Sequence, residues 1–466
     1  MTGQAVPTEL GVKPIGALLR QYAIPGIIAM TASSLYNMVD SIFIGHIPGS
    51  GPLAISGLAV TFPLMNISTA IGTLVGVGAA TMISVLLGQK NYKVASKVLS
   101  NEVTLNIITG IIFTLVSFIW MDPILRFFGA SDATLPYARS YMFIIAGGNA
   151  ITHLYFGLNS VIRSSGNPKL AMGLTLFTVT TNAILDPVFI YVLGLGIQGA
   201  AIATVLCQSM ALAYTMRYFL DSKKFLHLPH SLRLFRVDWK IAKDSLAIGL
   251  GPFLMNLASC VVVLFINQQL VKWGGDLALG AYGIVNRLSF LFVMIVMGFN
   301  QGMQPIAGYN YGARQYARVR EVYLRTIMWG TIVTTAGWMI AMFIPGPAAS
   351  IFTSDPTLHD LAANGLRRIN LVFPIVGFQM VTTNLFQCLG MVKKSIFLSL
   401  SRQLLFLLPC IYILPEVLQS EVGVWYSFPI SDVISSVITG IMAIGLIRKL
   451  GRLKDGDDPS VLGGQI

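Results

Sequence analysis

Twelve times along this chain a mostly apolar stretch recurs that is long enough for a helix to cross a bilayer, which takes about 20 residues. The stretches run over residues 22–47, 55–87, 101–121, 138–162, 169–192, 198–220, 245–272, 278–309, 322–344, 366–389, 394–415 and 424–447. Several exceed the minimum, which implies tilt or protrusion beyond the membrane, not extra crossings. Composition agrees with that reading. Apolar residues make up 55% of the 466 and charged ones only 11%, whereas an ordinary soluble chain is about 25% charged. So few charges cannot solvate a globule of this size, so lipid must be the solvent for most of its surface. The expected fold class is all-α, a polytopic membrane protein of twelve transmembrane helices.

The formal charge of +12 does not point to nucleic acid, because the basic residues lie between apolar spans and not in one patch. Their distribution follows the positive-inside rule instead. With twelve spans, 25 Lys and Arg fall on one side, Arg402 among them, and 5 on the other, with Arg287 left inside a span. Both termini are therefore expected in the cytoplasm of a bacterial cell, as a multi-pass protein of its inner membrane. The first apolar span lacks the short length and small-residue cleavage site of a leader and is read as a retained helix. Cys207, Cys260, Cys388 and Cys410 lie in apolar stretches without metal-ligand spacing and read as small apolar fillers. His227 and His230, in the polar stretch between spans six and seven, read as solvated loop residues.

The chain is internally repeated. Gly88-Gln89-Lys90-Asn91-Tyr92 matches Gly312-Ala313-Arg314-Gln315-Tyr316, and Ser131-Asp132-Ala133-Thr134-Leu135 matches Ser354-Asp355-Pro356-Thr357-Leu358. Gly166 with Lys169 matches Gly390 with Lys393 at nearly the same offset. The implied organisation is an amino-terminal six-helix lobe over 1–220, a linker over 221–244, a carboxy-terminal lobe over 245–450 and a tail over 451–466. Each half has an even number of spans, so the repeats are parallel and related by a pseudo-two-fold axis along the membrane normal. Such duplication is typical of secondary transporters, with the substrate site near the midplane. No nucleotide-binding loop accompanies it, so ATP is not the expected drive. Nothing in the sequence suggests an enzyme.

Charges deep in a span are costly and mark function by default. Most of the acids fall in loops or near helix ends, but Asp40, in Tyr36-Asn37-Met38-Val39-Asp40, lies inside span one. Asp186, in Asn182-Ala183-Ile184-Leu185-Asp186-Pro187, lies near the end of span five or in the segment leading to span six. Asn182 and Asp186 are four residues apart and share a helical face. Pro187 has no N–H for the carbonyl of Ala183, which frees that oxygen and permits a kink. A carboxylate, an amide and a freed carbonyl together can hold a proton or a sodium ion, and burial lets a carboxylate exchange protons near neutral pH. Asp432 and Arg287 lie nearer the outer ends of their spans and read as structural, with Arg287 long enough to snorkel. Asn267, Gln268 and Gln269 either line a cavity or bond between helices. Pro25, Pro63, Pro252 and Pro305 are candidate bending points, Pro25 and Pro252 at corresponding places in the two halves.

At the level of motifs the chain resembles the multidrug and toxic compound extrusion (MATE) family over about residues 15–450. The resemblance rests on Leu35 through Asp40 with Phe43-Ile44-Gly45, on Asn182 through Pro187, on Gly196 through Thr204, and on Gln304 through Ala313. It implies two six-helix lobes around a cleft and cation-coupled export of lipophilic, often cationic drugs by alternating access. It further implies an amino-lobe ion site that falls on Asp40, Asp186 and Asn182, with Asn37 and Thr204 beside them. A protonation-linked bend in helix one falls on Pro25, with Pro187 and Pro252 as further hinges. Tyr36, Met38, Asn267, Gln268 and Arg287 are the candidate cavity residues. Some branches of the family carry coupling acids in the carboxy-terminal lobe, but spans seven, eight and ten here hold none. That departure favours the amino-lobe site, with H+ expected over Na+ and no other cofactor or metal. The rival reading is a lipid-linked oligosaccharide flippase of the same superfamily, which needs a basic cleft for pyrophosphate and finds only Arg287. A scaffold or receptor without transport is the third. The expected partners are small-molecule drugs and membrane lipid, with no nucleic acid, and the chain is expected to act as a monomer.

Overall fold

A computed structural model describes residues 8–229, 237–353 and 355–458, apart from the side chains of Asn37, Met38, Gly51, Pro52, Ile55 and Asp276. Its long helices are α1 (Ile15–Gly45), α2 (Gly51–Gly88), α3 (Tyr92–Ile119), α4 (Leu135–Gly147), α5 (Asn149–Ser164), α6 (Pro168–Pro187) and α7 (Ile197–Leu220). The second half continues with α8 (Trp239–Gly275), α9 (Leu277–Gly312), α10 (Tyr316–Phe343), α11 (Pro356–Ile369), α12 (Phe373–Cys388), α13 (Val392–Leu400), α14 (Leu408–Leu418) and α15 (Val422–Arg452). Shorter helices cover Met121–Phe127 and Pro345–Ser350.

The protein is an all-α, polytopic membrane protein with twelve spans. Among the described residues, ten helices or helix runs are long and apolar enough to cross by themselves, and α11 with α12 forms an eleventh, bent by 56°. The remaining span falls on α4 and α5, of 13 and 16 residues, which meet at Gly148. A side chain there would press against Val205 of α7. Among the described residues two spans carry a π-helical stretch: Val188–Val192 follows α6, and Ser401–Leu407 joins α13 to α14. After Pro187, which has no N–H to give, the N–H of Leu193 reaches back five residues to the carbonyl of Val188 at 2.9 Å. Helices α8 and α9 meet at Gly275, whose φ of 68° and ψ of −167° are open essentially to glycine alone.

Two of the three repeated motif pairs turn out to be one turn used four times. Lys90 and Arg314 hold φ of 59° and 57°, and Gly166 and Gly390 hold 103° and 65°. In each case the next N–H bonds a carbonyl five residues back: Asn91 to Leu86, Gln315 to Asn310, Asn167 to Ile162 and Met391 to Phe386, at 2.8 to 3.1 Å. This is the six-to-one bond of the Schellman motif, which closes a helix and redirects the chain.

The described chain packs as two compact units, and their borders do not coincide with the halves of the sequence. Residues 8–12, 31–229 and 237–253 form the first, and 13–30, 254–353 and 355–458 the second. Helix α8 begins at Trp239, inside the stretch read as linker, because Asp238 supplies a carboxylate to the N–H of Ile241 at 3.5 Å. Small residues allow these exchanges. In the first unit a Cβ on Gly78 would overlap the Ser245 carbonyl, and one on Gly249 would overlap the backbone of Leu74. In the second, a Cβ on Gly298 would stand 2.5 Å from the Cα of Ile27, and one on Gly302 would stand 2.6 Å from the N of Ala23. Bare glycine backbone permits this close approach of membrane helices.

Candidate functional site

Asp40 and Asp186 meet inside the first unit. Asp40 stands on the last turns of α1 and is 6% exposed; Asp186, the residue before the proline that ends α6, is wholly buried. Their carboxyl groups lie within hydrogen-bonding reach of one another. The depth of Asp186 follows from what comes after it. The π-helical turn carries Tyr191 back to α1, where its hydroxyl donates to the carbonyl of Phe43 at 2.7 Å. Helix α7 closes the turn from the other side, since a Cβ on Gly199 would lie 2.7 Å from the backbone of Phe189. The proline, the tyrosine and the glycine together hold the end of α6 against the end of α1.

Around the acids stands a small set of polar groups. Thr204 Oγ1 on α7 shares a hydrogen bond with Tyr36 Oη at 2.9 Å and accepts from Asn182 Nδ2 at 3.3 Å. Tyr36, Thr204, Asn182 and both acids therefore form one cluster drawn from α1, α6 and α7. Tyr141 of α4, also buried, lies near enough to feel the charge of both carboxylates. Nothing in the sequence separates it from the other tyrosines. Asn37 and Met38 have side chains outside the described ones.

The oxygen count of this cluster is unbalanced. Both oxygens of Asp186, Oδ1 of Asp40 and Oδ1 of Asn182 are enclosed without a hydrogen-bond donor. Carboxylates facing each other cannot satisfy one another without a shared proton or an intervening cation. The described residues near them supply hydroxyls and an amide, not a guanidinium or ammonium.

The other expected residues lie elsewhere. Asn267 is half-buried on α8, while Gln268 and, on α9, Arg287 are exposed. Gln269 is buried and accepts from Trp273 Nε1 at 3.2 Å. An apolar cavity of about 650 Å³ lies between α2 and α3, walled by Leu64, Ile67, Phe113, Val116 and Trp120, and none of the expected cavity residues lines it.

Two expectations about charge need correction. Arg402, counted with the loop residues, sits in the π-helical stretch within span eleven, where its Nε donates to Asp432 Oδ1 at 2.7 Å. Asp432 lies ten residues into α15 and is buried, so it is an interior charge held by a partner on the next span. Nor are Asp40 and Asp186 the only acids deep in a span besides it: Glu102 lies ten residues into α3, 1% exposed. Its place at the edge of the predicted third span gives it, in sequence, the look of a helix-end residue.

A duplicated, all-helical chain of twelve spans that encloses a carboxylate pair in one unit is a transporter by class. The MatE family model matches residues 25–188 and 247–413, one copy in each half. The chain belongs to that family, the multidrug and toxic compound extrusion family its motifs resemble. It is 27% identical to the Multidrug export protein MepA of Staphylococcus aureus strain N315, over 93% of this chain and 94% of that protein. It is 34% identical to the chain in a solved structure of the MATE multidrug transporter DinF-BH. The two superimpose with a TM-score of 0.88, over 97% of this chain and 100% of that one. An outward-facing MATE family transporter, 24% identical, has the same fold with a TM-score of 0.88 over 97% and 99% of the two chains.

Proposed function

We propose that the protein is a cation-coupled multidrug exporter of the bacterial inner membrane, an antiporter in which Asp40 and Asp186 carry the coupling ion and H+ is preferred to Na+. The observation that carries this reading is the carboxylate pair with too few donors. One proton shared between the two groups supplies the donor that is missing between them, and its loss leaves like charges in contact. Neighbouring charges of one sign repel strongly away from water, so loading and unloading alter how the ends of α1 and α6 pack. Coupling then requires that drug and ion favour different conformers. Small-molecule drugs as cargo are supported by the relatives' names, MepA being called a multidrug export protein. Both termini in the cytoplasm agree with the charge distribution, and the protein is taken to act as a monomer embedded in lipid. The flippase reading, which needs a basic cleft, is not favoured: Arg287 remains its candidate, and Arg402, the interior base the fold adds, is engaged with Asp432.

The test is Asp40→Asn in proteoliposomes. Gradient-driven efflux of a cationic dye is expected to vanish while insertion and fold persist. Normal efflux by the inserted variant would remove Asp40 from the mechanism.

A further inference from the structure

Glu102 and Asn106 stand one turn apart on α3, remote in sequence from every residue of the site above. Both are buried, at 1% and 0% exposure. Asn106 Nδ2 donates to Glu102 Oε1 at 2.6 Å. The two remaining oxygens, Glu102 Oε2 and Asn106 Oδ1, are enclosed with no hydrogen-bond partner. The pair lies against bare backbone: a Cβ on Gly157 of α5 would collide with Glu102 Oε1 and approach Asn106 Nδ2 to 2.6 Å.

No cation serves this carboxyl among the described residues. Helix α2, packed on α3, contains no titratable residue. On α5, His153 turns Nε2 to Ser68 Oγ at 3.0 Å and encloses Nδ1 without a partner. Tyr155 shares a hydrogen bond with Thr178, and Arg163 lies near Tyr155. The start of α8 packs on Leu105 through Ala242 and brings Asp238, Lys240, Lys243 and Asp244, of which Asp238 pairs with Lys97 at 3.6 Å. Beyond the far end of α3, Arg126 pairs with Asp132 and Arg139 with Asp122, while Tyr137 and Tyr141 belong to α4.

We propose that Glu102 and Asn106 form a second proton-binding site in the first unit, separate from Asp40 and Asp186. A neutral carboxylic acid has an O–H to give and a carbonyl to receive; a primary amide has the complement. One proton taken from water onto Glu102 Oε2 donates to Asn106 Oδ1. It closes a paired ring with the existing Nδ2 bond and satisfies both orphaned oxygens at once. An ionised Glu102 would instead be a buried charge with one donor and no counter-charge, a costly arrangement for a carboxylate. Gly157 makes the space for this ring, and an alanine there would displace it. The site stands whichever ion Asp40 and Asp186 carry.

Infrared spectroscopy of the full-length protein in lipid bilayers at neutral pH reads it directly. A protonated-carboxyl carbonyl band is expected that persists in the Asp40→Asn, Asp186→Asn double variant and is lost, one band per molecule, in Glu102→Gln. A protonated-carboxyl band unchanged between Glu102→Gln and its parent would mean that Glu102 is ionised and would overturn the proposal. So would a band that disappears on adding Na+, which would make the site a metal-cation site. Should Glu102→Gln not insert, Asn106→Leu gives the second reading. Opening the ring is expected to move the Glu102 band to that of an unpaired acid, and an unmoved band counts against the ring.

Discussion

Thr204 is the residue on which the polar cluster converges, since Tyr36 and Asn182 both bond its hydroxyl. Replacing it with valine keeps the volume and removes the acceptor, leaving the half-buried Tyr36 hydroxyl and the buried Asn182 amide unpaired, the latter at a cost of about 1–3 kcal/mol. Thr204→Val is therefore expected to lower the thermal midpoint of the detergent-solubilised protein and to weaken ion coupling, while Thr204→Ser keeps both. The Arg402–Asp432 pair makes a second residue-scale test. Asp432→Asn strands a half-buried guanidinium, which is expected to cost about 2 kcal/mol, below the roughly 3–5 for a wholly enclosed pair. Arg402→Met with Asp432→Leu should recover most of that loss in the same melting measurement. Residues of this kind are unevenly legible in the sequence. Asp40 stands out because apolar neighbours surround it. Asp186 becomes legible through its spacing from Asn182 and the proline after it. Glu102 is hidden because the third span is read as starting at residue 101, nine residues after α3 begins at Tyr92, and Arg402 by proximity to Lys393 and Lys394. Tyr141 reaches the acids from a helix with no polar motif, and only the folded packing brings it there.

Among the elements, the breaks are more informative than the helices. Apolar length alone reveals twelve spans, yet it cannot show that the fourth is broken at Gly148 or that the tenth bends by 56°. The first falls at Gly147-Gly148-Asn149 and the second at Asn370, shortly before Pro374; these are local breaking signals that a window of hydropathy averages away. The turns are more legible than the breaks, because the Gly88 and Gly312 motifs encode a backbone conformation and not just a composition. At Gly275, φ of 68° with ψ of −167° suits no side-chain-bearing residue. Gly275→Ala is expected to cost about 1–3 kcal/mol, measured as a lower midpoint of unfolding. Gly249→Val should cost about 1–3 kcal/mol through overpacking against the backbone of Leu74. The same change at Gly440, which has open space around it, should be nearly silent apart from helix propensity. That contrast separates contact from composition, since both glycines lie in apolar spans.

At the scale of the whole molecule, the coupling ion decides which gradient drives transport. With Asp40 and Asp186 as proton carriers, efflux from vesicles should rise when the medium receiving the dye is made more acidic. An imposed sodium gradient at equal pH on both sides should leave it unchanged. Measuring both in one preparation separates the two ions, and a sodium response would reassign the pair.

The exchange of helix beginnings between the units bears on how the chain is made. Residues 239–253 lie against Gly78 in the first unit, although they are translated after all six spans of the first repeat. A ribosome that has delivered only the first repeat has therefore left that unit with an uncovered glycine seam. Residues 13–30, synthesised first, must wait for Gly298 and Gly302. A fragment ending at residue 220 should be rapidly proteolysed in the membrane, and one extended through residue 253 should survive longer. The gene duplication made two copies of a repeat, but neither copy matures without part of the other.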